Sequence, residues 1–149
     1  MDDIVLEALL FAEWKHGNQV YTQADGDKPY IYHLRGVVEI GQHMGLSTDE
    51  LVVCALHDIF EDTPTGFGEV VESFGIFIAE KAMGTARRED ETYPRYIERV
   101  GESEFLRAVK VCDLLFNLEH CATGDEKHQK LHTRYEKALY YLATHFENK

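Results

Sequence analysis

Apolar residues recur three and four positions apart along most of this chain, and the intervals between those stretches are filled by turn-forming residues. That spacing predicts helices over about 3–16, 30–45, 48–61, 66–74, 75–84, 93–100, 102–121 and 126–146. Ser47 and Glu50 form an S-x-x-E pair that caps the third of them. Breaks fall at "DGDKP", "TPTG" and "ATGD". No stretch sustains the alternation, or the short Val/Ile/Thr-rich runs, of a sheet. The expectation is therefore an all-α chain of seven to eight helices forming one domain over residues 1–149.

One segment breaks the pattern of apolar faces. "ALHDIFEDT", Ala55 to Thr63, embeds four ionisable groups in what reads as a core helix. At about 100° per residue, His57, Glu61, Asp58 and Asp62 fall near 0°, 40°, 100° and 140° on a continuous helix, one polar face two turns deep. Val52, Val53, Leu56, Ile59 and Phe60 occupy the opposite side. An adjacent His-Asp pair can present an imidazole nitrogen and a carboxylate oxygen to one ion such as manganese, iron or zinc. Two further donors stand as lone polar residues in apolar helices: His33 in "PYIYHLRGVV" and Asp113 in "VKVCDLLFNL". An ionised carboxylate at Asp113 is costly among Val111, Cys112, Leu114, Leu115 and Phe116 unless it is paired or bound to metal, and Lys110 is the alternative partner. Asn117, one turn later, can orient Asp113 or a substrate. His128 and His132 share a charged helix face, where solvation is the expected fate.

Charge narrows the ligand. With 27 Asp and Glu against 15 Lys and Arg, the net charge of −12 excludes nucleic acid gripped through its phosphates. A phosphorylated small molecule would need local positive charge, for which Lys28, Lys81, Arg87, Arg88 and Lys110 are candidates, "TARRE" being the best placed. Tyr93, Tyr96 and Tyr135 are candidates to stack on a base. Cys54, Cys112 and Cys121 are odd in number and widely spaced, which reads as reduced thiols. The start "MDDIVLEALLFAEW" is unlike a secretory signal, and no apolar run reaches the ~18 residues of a membrane span. A cytoplasmic location without membrane contact is expected; oligomeric state is left open.

The order H…HD…D, with the words "HGNQ", "DGDKPYIYH", "ALHDIFEDT", "FG" and "VKVCDLLFNL", resembles the HD-domain metal-dependent phosphohydrolases, and within them the RelA/SpoT-type hydrolase domain and small alarmone hydrolases. The resemblance runs from about Phe11 to His120. It implies an HD-type helical fold, metal ligands His33, His57, Asp58 and Asp113, usually manganese as the ion, and Glu61 and Asp62 assisting the chemistry. The implied reaction removes the 3′-pyrophosphate of guanosine tetra- or pentaphosphate; from the residues themselves, Asn117, Lys28, Arg87, Arg88 and Tyr135 are the candidate substrate-binding set. One of Glu61 and Asp62 would position or deprotonate water and the other protonate the leaving oxygen. Where the family carries basic residues after the "HGNQ" position, this chain reads Val20, Tyr21, Thr22, Gln23; its "ADRLHN" is here "CDLLFN"; and Leu34 follows His33 in place of proline. A phosphomonoesterase or phosphodiesterase on another nucleotide, or a catalytically silent nucleotide sensor, are the competing readings; the intact Glu61 and Asp62 argue against the sensor.

Overall fold

A computed structural model describes residues 1–122 and 124–146. The chain begins with helix α1 (Asp3–His16) and a two-stranded hairpin, β1 (Val20–Gln23) and β2 (Gly26–Pro29). Then come α2 (Tyr30–His43), α3 (Thr48–Leu56), α4 (Ile59–Asp62), α5 (Phe67–Phe74) and α6 (Ile76–Gly84). The last helices are α7 (Tyr93–Glu102), α8 (Glu104–His120) and α9 (Glu126–Thr144).

Helix α3 is the centre of the packing because its last five residues have no solvent face: Val52, Val53, Cys54, Ala55 and Leu56 are all buried. The expected capping box starts it. Ser47 Oγ accepts from the Glu50 N–H at 3.2 Å, and Glu50 Oε1 accepts from the Ser47 N–H at 2.8 Å. Around α3 lie α1, α2, α6 and α8, whose apolar faces (Val5, Ala8, Ala12; Leu34, Val37, Val38; Ala79, Ala82; Val109, Cys112, Phe116) close the first core. A second core joins α7, α8 and α9 through Tyr96, Val100, Leu106, Leu114 and Leu142. Helix α8 thus serves two cores, and Asp113 sits between Cys112 of the first and Leu114 of the second.

Helices α2 and α8 approach so closely that Gly36 has no room for a side chain. A Cβ there would lie 2.0 Å from the ring of Phe116. That ring is itself hemmed in by Tyr21, Tyr32, His33 and His120.

Two expectations change. The predicted helix 48–61 divides into α3 and α4, which gives nine helical segments among the described residues. Asp58 leaves helical geometry, at φ −101° and ψ 3°. The His57 carbonyl accepts instead from Thr85 Oγ1 at 2.8 Å, so the ladder is traded for a tie to the end of α6. The other change is the hairpin, in a chain expected to have no strands. Val20 pairs with Pro29, Tyr21 with Lys28, Thr22 with Asp27 and Gln23 with Gly26. Its tip is clipped to the end of α8, where the Ala24 N–H donates to the His120 carbonyl at 3.0 Å. The fold class stays all-α.

Candidate active site

Three helical segments bring the sequence-predicted donors to one point. His33 comes from the first turn of α2, His57 and Asp58 from the break between α3 and α4, and Asp113 from the middle of α8. His33 Nε2 lies 3.1 Å from Asp113 Oδ1 and 3.6 Å from Asp58 Oδ2. His57 Nε2 lies 3.2 Å from each of the same two oxygens. The donor atoms of His33, His57 and Asp58 all fall within 4.8 Å of one another. Bonds of about 2.1 Å from a shared ion would separate neighbouring donors by about 3.0 Å in octahedral and about 3.4 Å in tetrahedral geometry. The four His–Asp separations are close to these values, so the cluster of His33, His57 and Asp58 suits a divalent transition metal, with Asp113 Oδ1 beside both imidazoles.

The surroundings hold those atoms in place. A carbonyl only accepts, so the 2.6 Å contact between His57 Nδ1 and the Cys54 carbonyl puts a proton on Nδ1 and turns Nε2 toward the centre. Asp113 is buried, and its carboxylate also accepts from Lys110 Nζ at 2.9 Å and Asn117 Nδ2 at 3.3 Å. Asn117 accepts in turn from Tyr21 Oη at 2.7 Å. Tyr21 stacks on His33 with ring centroids 4.7 Å apart and planes 6° from parallel, fixing the imidazole. Tyr30 Oη donates to Asp58 Oδ2 and lies 3.4 Å from Asp62 Oδ2.

Burial alone would push the Asp113 carboxyl up, but Lys110 and then His57 and His33 outweigh it and hold it well below the usual carboxylate range. Burial works against charge on His57 as well, yet Asp58 and Asp113 raise it well above an ordinary imidazole. Two buried carboxylates facing two imidazoles form a centre that demands positive charge. Beside it, Glu61 is raised by burial and then by the negative charges of Asp58 and Asp62.

These groups open into a pocket of about 240 Å³, lined among others by Tyr21, Glu61, Arg87, Lys110, Asn117 and Tyr135. Tyr93 and Tyr96 also line it. Other expected residues fall elsewhere. Asp62 turns toward Tyr30 outside the lining. Lys28 stands on β2 opposite Tyr21, and Arg88 is exposed on the loop before α7, so neither lines the pocket. His128 and His132 lie on α9 and meet Asp125 and Glu136 on its surface. Residues that the sequence did not single out are Tyr21, Tyr30 and Arg134, the last also in the pocket lining. Tyr30 was within reach, being the first aromatic of "PYIYH" one turn before His33.

Helices, a break carrying His-Asp, and distant His and Asp donors on flanking helices define an HD-type hydrolase fold. No family model matches the chain. Guanosine-3′,5′-bis(diphosphate) 3′-pyrophosphohydrolase MESH1 of Danio rerio is 36% identical over 124 residues, covering 77% of this chain and 67% of its own length. The Xenopus tropicalis protein of the same name is 35% identical over 125 residues, 77% of this chain and 68% of that one. The guanosine-3′,5′-bis(diphosphate) 3′-pyrophosphohydrolase of Aquifex aeolicus is 27% identical over 136 residues but is matched over only 19% of its length. Among solved structures, one described as "A metazoan ortholog of SpoT hydrolyzes ppGpp and plays a role in starvation responses" superposes with a TM-score of 0.80. It covers 97% of this chain and 87% of that one at 22% identity, a likeness of fold. The chain belongs to the family of guanosine-3′,5′-bis(diphosphate) 3′-pyrophosphohydrolases of the MESH1 type.

Proposed function

We propose that this protein is a metal-dependent phosphohydrolase that cleaves guanosine 3′,5′-bis(diphosphate) with water to guanosine 5′-diphosphate and diphosphate. The observation that carries the reading is the convergence of His33, His57, Asp58 and Asp113 on one point, with Glu61 in the same pocket. Family membership supplies the substrate. A divalent ion held by those four residues, for which manganese is our assignment, would supply Lewis acidity toward phosphoryl oxygen and lower the pKa of water.

The chain's own residues do the remainder. Glu61, kept basic by burial and by its acidic neighbours, takes the proton of the attacking water and can carry it to the leaving 3′ oxygen. Asp62 lies outside the pocket lining, so its task is to hold Tyr30 against Asp58. Lys110 and Asn117 keep Asp113 ionised and oriented. Arg87 offers charge to phosphate, and Tyr21 and Tyr135 offer aromatic walls to the base. Lys28 and Arg88, off the pocket lining, are assigned no contact with the reacting end of the substrate.

Three free cysteines and the absence, among the described residues, of a helix long and apolar enough to cross a membrane support work in the reducing cytoplasm. The test is incubation of manganese-loaded protein with guanosine 3′,5′-bis(diphosphate), with products resolved by ion exchange. Formation of guanosine 5′-diphosphate and diphosphate, abolished by chelation, is expected; intact substrate under saturating manganese contradicts the proposal.

A further inference from the structure

The catalytic pocket is smaller than most small-molecule sites. Sites for small molecules run from roughly 300 to 1,000 Å³. The 240 Å³ next to the His-Asp centre therefore holds the reacting end of a nucleotide and leaves the remainder outside. A second groove of about 430 Å³ runs between α7 and α9, with Tyr93, Ile97, Ala138 and Tyr141 as its floor. Tyr93 and Arg134 line both spaces, so the two adjoin.

The charge of this groove is unlike that of the chain. On a molecule of net charge −12, α9 carries Lys127, Lys130, Arg134 and Lys137 at steps of three, four and three, one stripe along the helix. Three of the four line the groove. Lys130 pairs with Glu126 at 3.4 Å on an exposed surface, the ordinary fate of such a residue. Arg134 and Lys137 have no carboxylate within ion-pair distance among the described residues, although Glu98 lies in the same lining. The Arg134 guanidinium instead lies over the Tyr93 ring at 4.6 Å, with Arg87 at 6.0 Å from the same ring. The Tyr93 hydroxyl is buried and, among the described residues, has no hydrogen-bond partner. Two cations without a carboxylate partner, and a neighbouring arginine at the junction of the two cavities, are the components of a polyphosphate grip.

Resting on the activity proposed above, we infer that Arg134 and Lys137 form an anion subsite in the α7–α9 groove that holds the non-reacting 5′ phosphates of the nucleotide. It answers the lack of basic residues at Val20–Gln23: positive charge stands on α9 instead of on β1. The two ends of the substrate then occupy two cavities, with Tyr93 and Arg134 between them.

The test is equilibrium binding of guanosine 5′-diphosphate and of guanosine to manganese-loaded protein, which needs no turnover. Wild type should bind the diphosphate at least about 10-fold tighter, each such factor being ~1.4 kcal/mol. Arg134→Gln should lose most of that preference with an unchanged melting temperature, and Arg134→Lys should regain part of it. Lys127→Gln removes a charge from the same stripe outside the groove lining and should keep the preference. Equal binding of both ligands by wild type, full preference in Arg134→Gln, or equal loss in Lys127→Gln overturns the subsite. Preserved preference without hydrolysis of guanosine 3′,5′-bis(diphosphate) rejects the reaction and leaves the subsite standing.

Discussion

Lys110 Nζ lies 2.9 Å from Asp113 Oδ2, one turn away on α8, while the other oxygen of that carboxylate meets both His33 and His57. The lysine therefore neutralises from behind a carboxylate whose front is committed to the centre. Breaking a buried pair by removing one partner costs about 3–5 kcal/mol when the other charge is left uncompensated. Lys110→Met should lower the stability of the metal-free protein by an amount near the low end, because the imidazoles still face Asp113. Added manganese should restore part of the loss. Thermal unfolding with and without the ion checks this; a variant as stable as wild type without metal contradicts it.

Gly36 is required by the contact of α2 with α8. Gly36→Ala drives a methyl into the Phe116 ring, which cannot retreat because Tyr21, Tyr32 and His120 surround it. Overpacking of this kind costs about 1–3 kcal/mol. Since Phe116 also packs on His33, turnover should fall with stability. Urea unfolding and steady-state kinetics on the variant measure both effects.

Arg99 ties α7 to the loop that carries Arg87, donating to Glu91 Oε2 at 2.7 Å, the Gly84 carbonyl at 2.7 Å and the Ala86 carbonyl at 2.8 Å. Hydrogen bonding to Arg99 pulls the Glu91 carboxyl down to about 2. A carboxyl depressed in the folded state stabilises above its unfolded value of about 4.3, and that stability is lost as pH falls toward the folded value. Glu91→Gln should therefore be less stable than wild type at pH 7, and the difference should shrink between about pH 4.5 and pH 2. Denaturant melts across that range test the sign; a difference that grows on acidification would be the wrong way round.

Tyr21 stands where basic residues are usual in the family, and its hydroxyl is already given to Asn117. Without planar cationic donors at that wall, selection of guanine over adenine should be less than about 1,000-fold, or ~4 kcal/mol. Comparing turnover on the guanosine and adenosine 3′,5′-bis(diphosphates) measures it.

The convergence of His33 and Asp113 with the His-Asp pair was legible in the sequence because burying charge is expensive: each stands out as a lone polar residue in an apolar helix and needs a partner there. Helix starts were equally plain where local chemistry decides them, as at Ser47 and Glu50. The break at Asp58 was not, because it depends on Thr85, 28 residues beyond His57, reaching the His57 carbonyl. Nor was the hairpin, whose four-residue strands are too short for alternation to register and whose tip is held by the distant end of α8. Arg134 was invisible for a similar reason. On a surface helix a lone arginine reads as solvated until the fold brings Tyr93 beneath it.

On the proposed reading, "HDIFED" holds an ion with its first half and moves a proton with its second. Asp58→Ala should lose bound manganese and activity together. Glu61→Gln keeps the shape but cannot accept a proton at neutral pH. The decisive measurement is bound manganese and turnover of guanosine 3′,5′-bis(diphosphate) on Glu61→Gln. One ion per chain with turnover reduced about 100- to 10,000-fold is the predicted result, and full activity at wild-type metal content would contradict it.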